Sequence, residues 1–255
     1  MIMAEQYEQA IQEALVPPKE IMFGGDGSFR KIGREFFRYF TKLGGLQPDD
    51  RVLEAGCGIG RMAIPLTAYL TEDAEYQGFD VVPRGIKWCH EQITPRFPNF
   101  HFQLANVHNG HYNPDGTFKA SEYKFPFEDE RFDFIYLTSV FTHMLPVDLE
   151  NYLSEISRVL KPGKTAFITY YLLNNVSKKA VAAGTDPHGF KHKYGQYMTN
   201  RDDRPEVATA YEESYILDLY PKYNLAIQNP IHYGKWGRDS GYTSFQDIII
   251  ARKTA

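Results

Sequence analysis

Cysteine is scarce: Cys57 and Cys89 are the only two in 255 residues, too few for a disulfide framework. Cys57 also lies inside a glycine-rich turn where a bridge would be awkward, so a reducing, cytoplasmic setting is expected. Positive charge is in short supply as well. A formal net charge of −4 and a pI near 6.1 leave no basic footprint, which counts against DNA or structured RNA as a partner. No window approaches the run of about 18 apolar residues that crosses a bilayer. The stretch from Met1 to Pro18 carries Glu5, Glu8 and Glu13 and lacks the basic start and apolar block of a secretion signal. A soluble protein that binds neither membrane nor nucleic acid is the expectation.

What is present is core material. Hydrophobic residues make up 43% of the chain and aromatics 15%, enough for a packed interior and for aromatic pocket walls, so global disorder is excluded. A helix is expected over Tyr7 to Leu15, stopped by Pro17-Pro18 and followed by the breaker Gly24-Gly25-Asp26-Gly27. Ser28 can cap a helix over Phe29 to Leu43, with Ile32, Phe36, Phe37, Phe40 and Leu43 at helical spacing.

From there short apolar strands alternate with helical periods. Strands are expected at Arg51 to Ala55, Tyr76 to Phe79, Phe100 to Leu104, Phe132 to Leu137 and Thr165 to Tyr171. Helices fall at Arg61 to Leu70, Arg84 to Thr94 and Val147 to Leu160. Nearly continuous apolar strands alternating with helices imply a mostly parallel sheet covered on both faces, a Rossmann-like α/β fold. Two irregular stretches, 105–131 and 172–204, are longer than a structural connection needs and are candidate acceptor-binding loops. A helix over Glu206 to Leu219 precedes strands Leu225 to Ile231 and Ser244 to Ala251, which are close enough in sequence to pair antiparallel.

Chemistry concentrates where the first of these strands runs into a turn, Val52-Leu53-Glu54-Ala55-Gly56-Cys57-Gly58-Ile59-Gly60-Arg61. Glycines at 56, 58 and 60 allow a sharp backbone turn and close approach of a ligand. Alone this is a weak signal, because Gly58, Gly60 and Ala63 also satisfy the dinucleotide pattern G-x-G-x-x-A. Context separates the two readings: Glu54 precedes the turn, the glycines are spaced G-x-G-x-G, and the next strand ends in Asp80.

With these residues the chain resembles the class I S-adenosylmethionine-dependent methyltransferases. Their first motif is similar to Glu54-Ala55-Gly56-Cys57-Gly58-Ile59-Gly60, and three further segments match in order: Gly78-Phe79-Asp80-Val81, Arg131-Phe132-Asp133-Phe134-Ile135-Tyr136, and Glu155-Ile156-Ser157-Arg158-Val159-Leu160-Lys161-Pro162-Gly163. The resemblance runs from about Gly33 to Ala251. It implies a mostly parallel seven-stranded sheet with an antiparallel C-terminal strand. It also implies a single methyltransferase domain over 29–255, preceded by a helical or lid segment over 1–28.

Carried over position by position, the resemblance sets Gly56, Cys57, Gly58, Gly60 and Arg61 beside the methionine part of S-adenosylmethionine, and Glu54 at its amino end. It sets Asp80 on the ribose hydroxyls, which suits a carboxylate accepting two O–H bonds, with Val81 and Val82 flanking the adenine. A plain strand-end turn residue is the alternative for Asp80. Asn106 stands where many members have Asp beside the adenine amino group, and Val107 adds a backbone contact. Ser139 and His143 belong to the segment Thr138 to Leu145, which passes beneath the sulfonium in similar enzymes. His143 is either a general base or orienting group, or a structural histidine at a helix start. Phe23 and Phe29 either cover the cofactor or pack on the sheet edge, and Tyr170 and Tyr171 are equally open.

His188, His192, Tyr194, His232 and Tyr233 are further polar aromatics near loops. His188 and His192 lack the acidic partner a metal site needs, and no metal is expected. The implied partner is a small-molecule acceptor, and the implied assembly a monomer or homodimer. Two rivals stand beside this reading, a nicotinamide-dependent oxidoreductase and a protein that holds S-adenosylmethionine without turnover.

Overall fold

Strands buried on both faces need helices on either side, and the order of elements delivers that arrangement. A computed structural model describes residues 15–23 and 28–254. The helix expected over Tyr7 to Leu15, apart from Leu15, and the glycine stretch Gly24 to Gly27 lie outside the described residues. The chain divides into two compact units, one of Met1–Ala105 with Phe132–Tyr136 and one of Asn106–Arg131 with Leu137–Ala255.

In the first unit, helix α1 (Phe29–Lys42) starts at Ser28, whose hydroxyl accepts the Lys31 N–H, the expected N-cap. Its buried face is Phe29, Gly33, Phe36 and Phe40. Gly33 takes a place on that face because a Cβ there would lie 2.7 Å from the Arg61 carbonyl oxygen. Strands β1 (Arg51–Ala55), β2 (Glu75–Asp80) and β3 (Phe100–Leu104) and β4 (Phe132–Leu137) follow the expected positions. β1 runs parallel to β2 and β4, and β2 parallel to β3. Val52, Leu53, Tyr76, Phe100, Phe132 and Phe134 are almost completely buried, which explains strand sequences that are apolar rather than alternating.

The helix expected over Arg61 to Leu70 shrinks to one turn, α2 (Ala63–Leu66). Pro65 has no N–H to give, and turn bonds such as Thr67 N–H to the Ile64 carbonyl replace the helical ladder. Helix α3 (Pro83–Gln92) opens on a proline in its first turn, where the missing N–H costs nothing.

In the second unit, β5 (Leu160–Tyr170) pairs antiparallel with β11 (Asp247–Lys253), which pairs antiparallel with β10 (Leu225–Ile227). Helix α4 (Pro146–Val159) buries Leu149, Tyr152, Leu153, Ile156 and Val159 at helical spacing. Its Arg158 bonds Glu155, Asp129 and the carbonyls of Phe125 and Phe127, which pins the irregular stretch 105–131. Across the seven-stranded sheet the order is β10-β11-β5-β4-β1-β2-β3, with the antiparallel C-terminal strands expected of the fold.

The stretch 172–204 is not irregular. With residues up to 212 it forms a second, four-stranded sheet of order β6-β9-β8-β7, from β6 (Leu172–Leu173), β7 (His192–Tyr194), β8 (Tyr197–Thr199) and β9 (Thr209–Glu212). Helix α5 (Ser177–Ala183) sits within it and ends on Gly184 in the left-handed region. β7 and β8 are joined by Gly195-Gln196, with Gly195 at φ +53°, a two-residue hairpin connection. The helix expected over Glu206 to Leu219 is instead β9 followed by α6 (Glu213–Lys222), because residues 209–212 pair with β6 and β8. Among the described residues no helix is long and apolar enough to cross a membrane.

Candidate functional site

The glycine turn after β1 uses its glycines for backbone shape. Gly56, Gly58 and Gly60 have φ of +87°, +56° and +74°, values that carry a steric cost for any residue with a Cβ. The N–H groups of Gly56 and Cys57 both donate to the Phe79 carbonyl at 2.8 and 3.0 Å, which ties the turn to the end of β2. At Gly60 a Cβ would lie 2.7 Å from Ile93 Cδ1, so that glycine serves packing. At Gly58 the same atom would touch, among the described residues, the ring of Phe23 at 3.7 Å without a clash, so that glycine serves the turn's positive φ.

Asp80, at the end of β2, is 8% exposed. Its Oδ2 accepts the Gly58 N–H at 2.7 Å and its Oδ1 the Val82 N–H at 2.8 Å. Burial pushes its carboxyl up to about 6, against the pull of the N–H groups of Val82, Gly58 and Val81. Each oxygen retains a second lone pair able to accept a hydroxyl. A buried carboxylate with lone pairs to spare, at a glycine turn lined by the ring of Phe23, fits the adenosyl end of S-adenosylmethionine.

Glu54 is fully buried, and its Oε2 accepts from the hydroxyls of Tyr76 on β2 and Tyr136 on β4, the latter at 2.9 Å. Burial pushes this carboxyl up to about 8, although both phenols pull it down. The cluster fastens three neighbouring strands at their centre. Arg61 donates to the Phe23 carbonyl at 3.3 Å and lies 5.6 Å from the ring centre of Phe29. Arg84 covers the ring of Phe23 at 4.9 Å. Phe23 thus lies against the glycine turn and Arg84.

The other expected site residues belong to the second unit. Asn106 is exposed, and its amide donates to the Thr117 hydroxyl at 3.1 Å. Val107 is buried, and its carbonyl accepts the Asn113 amide at 2.9 Å. Ser139 adopts φ +59°, rare for a residue with a side chain. Its N–H donates to the Thr169 hydroxyl at 2.8 Å and its own hydroxyl to Gln246 Oε1 at 3.1 Å. His143 Nδ1 lies 2.9 Å from the Glu206 carbonyl oxygen. A carbonyl only accepts, so Nδ1 carries the proton and Nε2 keeps a lone pair. Burial lowers the imidazole to about 4, which keeps it neutral at pH 7, suited to accepting a hydrogen bond more than to holding a proton.

A family model described as a methyltransferase domain matches residues 28–227. The chain belongs to the methyltransferase-domain family. The sterol 24-C-methyltransferase of Schizosaccharomyces pombe is 34% identical over 141 residues, 55% of this chain and 32% of that enzyme, so only about a third of the yeast protein is spanned. The 2-phytyl-1,4-naphtoquinone methyltransferase of Trichormus variabilis is 24% identical over 206 residues, 77% of this chain and 82% of that one. The solved structure of the PH0226 protein of Pyrococcus horikoshii superimposes with a TM-score of 0.62 at 15% identity, over 90% of this chain and 93% of its own. At that identity the likeness concerns the fold. The class I members of the family take their methyl group from S-adenosylmethionine.

Several residues of the chain escape sequence reasoning. Tyr76 and Tyr136 read as core strand residues, with nothing local to mark their shared carboxyl. Gln246 bonds both Ser139 and the Tyr171 hydroxyl, and Asp247 accepts from Leu172 N–H, Gly234 N–H and Trp236 Nε1 at 2.7, 2.7 and 2.6 Å. Gln246-Asp247 is a polar pair opening an apolar strand, the one local signal available. Among the expected polar aromatics, His188 stacks on Tyr171. Tyr194 stacks on Tyr197, Tyr233 donates to Glu213, and His232 bridges to Ile248; these three serve the local structure.

Proposed function

We propose that this protein transfers the methyl group of S-adenosylmethionine to a small-molecule acceptor, at a hydroxyl or amine, by direct in-line displacement. The observation that carries the proposal is the closed loop of Asp80, Gly58 and Val82. A buried carboxylate, held by backbone N–H groups at a glycine turn, is suited to receive a pair of vicinal hydroxyls. When bound, the cofactor supplies an electrophilic methyl group on a positively charged sulfur.

The chain's own residues then position and shield. Gly56, Gly58 and Gly60, with Cys57 and Arg61, shape the turn beside the methionine part. Asp80 takes the ribose, and Val81 and Val82 flank the adenine. Glu54 acts by holding the turn's parent strand to β2 and β4. Phe23 covers Gly58 and excludes water. His143, neutral with its proton on Nδ1, orients the acceptor hydroxyl or amine, and orientation of an attacking lone pair is the main contribution an enzyme makes to such a displacement. Sterol and quinone acceptors in the names of two relatives, and a net charge of −4 with no basic excess, support a small uncharged acceptor.

Calorimetric titration with S-adenosylmethionine, S-adenosylhomocysteine and NAD tests the reading. Micromolar binding of the first two, weakened at least a hundredfold by Asp80→Ala, is expected. Binding of NAD alone would overturn it in favour of hydride transfer, and tight cofactor binding with no methylated product across metabolite extracts would favour a binding protein without turnover.

A further inference from the structure

Four rings of the second unit gather around Tyr171, which leaves the end of β5. Their centres lie 4.4 Å away for His188, 5.2 Å for Trp236, 5.7 Å for Phe190 and 6.5 Å for Phe245. His188 also contacts Phe190 at 5.5 Å and Phe245 at 5.8 Å. Buried hydrogen bonds hold this group in place. Asp186 Oδ1 accepts the N–H groups of His188, Gly189 and Phe190. Asp247 fixes the indole of Trp236, and Gln246 bonds the Tyr171 hydroxyl. Rings anchored in this way are preorganised, and a ligand that meets them has less ordering entropy to overcome.

Two features set the cluster apart from ordinary core. The first is a gradient of exposure: Tyr171, Phe190 and Trp236 are buried, whereas Phe245 is 48% exposed. The second is His188 Nε2, which is shielded from solvent and has no hydrogen-bond partner. An imidazole nitrogen in that position bears the full cost of lost hydration, and a polar ligand atom arriving past Phe245 would relieve it. Burial keeps Tyr171 protonated, raised to about 12, and lowers His188, so both meet a ligand as neutral groups. The carboxylates of Asp186 and Asp247 stand behind them and oppose an anionic ligand.

We propose that this aromatic box binds the methyl acceptor as an uncharged, flat conjugated ring bearing a hydroxyl or amine, with His188 as the specificity-determining residue. The ring stacks among Tyr171, His188 and Phe245, and His188 Nε2 bonds the polar substituent. The word acceptor rests on the methyltransferase reading; the ring site does not.

The test is calorimetric titration of the full chain, with and without S-adenosylhomocysteine, using 1-naphthol and its saturated counterpart decahydro-1-naphthol as probes. About tenfold tighter binding of 1-naphthol is expected, in keeping with what aromatic pairs add beyond burial. His188→Phe keeps a ring but removes the nitrogen, and it should weaken 1-naphthol about tenfold while leaving decahydro-1-naphthol unchanged. Phe245→Ala, at a position 48% exposed, should erase the preference for the flat ring, with circular dichroism verifying that the variant is folded. Equal binding of the two probes, no binding of either to folded protein, or indifference of 1-naphthol to both substitutions would overturn the proposal. If 1-naphthol binds as expected while S-adenosylhomocysteine does not, the ring site stands and the methyltransferase reading fails. The reverse result removes the ring site alone.

Discussion

The glycine turn of the first unit and the aromatic box of the second are built in opposite ways. Around the turn, residues 54 to 61 are contiguous and meet a second short segment, 79 to 82, through backbone N–H and carbonyl groups. The box draws single side chains from positions 139, 171, 186, 188, 236 and 245 to 247, joined mainly through side-chain acceptors. A site made of backbone depends on conformations only glycine adopts cheaply, whereas a site made of side chains depends on a few buried acceptors. The two should therefore break differently.

The largest effect is expected at Asp247. Asp247→Ala leaves the N–H groups of Leu172 and Gly234 and the Trp236 indole without their acceptor, at a cost of about 3–5 kcal/mol. Urea denaturation should register the loss, and near-ultraviolet circular dichroism should register loosened rings.

Acid and base should act on Glu54 and His143 with opposite sign. Glu54 in the first unit is raised to about 8, so between the ordinary carboxyl range and pH 8 the folded state holds a proton that the unfolded state has released. Its contribution is present at low pH and declines as pH rises through that window, by on the order of a few kcal/mol. Glu54→Gln should flatten that slope. His143 in the second unit is lowered to about 4, so the unfolded state gains the proton first, and its contribution declines as pH falls from about 6.5 towards 4. Denaturation midpoints measured from pH 4 to 9 on wild type, Glu54→Gln and His143→Gln separate the two slopes; parallel curves for all three would refute the contrast.

Within the turn the glycines should differ among themselves. Gly60→Ala combines a positive φ with a Cβ 2.7 Å from Ile93 and should lose about 3 kcal/mol of stability in urea. Gly58→Ala has the strained φ without the clash and should lose only about 1 kcal/mol. Its signature lies elsewhere, in affinity for S-adenosylhomocysteine, because the added methyl group stands beside the N–H that Asp80 accepts. Equal stability losses at the two positions would erase the distinction between a packing glycine and a ligand glycine.

Legibility in the sequence follows the same division. β1, β2 and β4 fall close to their expected positions because they are buried on both faces, and β3 because burial of one face leaves Phe100 and Phe102 alternating with His101 and Gln103. α2 fell short because Pro65 weighed less in the sequence pattern than the apolar spacing around it. The segment 206–219 reads as a helix on apolar spacing alone, but residues 209–212 have strand partners in β6 and β8, and a pairing partner leaves no trace in the paired segment. The hairpin at Tyr194-Gly195-Gln196-Tyr197 carried a usable signal, a glycine in a two-residue connection, obscured by strands only three residues long.

The sequence by itself determined the parallel core, the G-x-G-x-G turn and the acid at the end of β2, because each is encoded by residues adjacent along the chain and dictated by local conformation or burial. Only the tertiary structure decided that Glu54 is shared by two tyrosines, that His143 carries its proton on Nδ1, and that Tyr171, His188, Trp236 and Phe245 form one box. Those outcomes depend on distances between side chains far apart along the chain, and packing, not local preference, sets such distances.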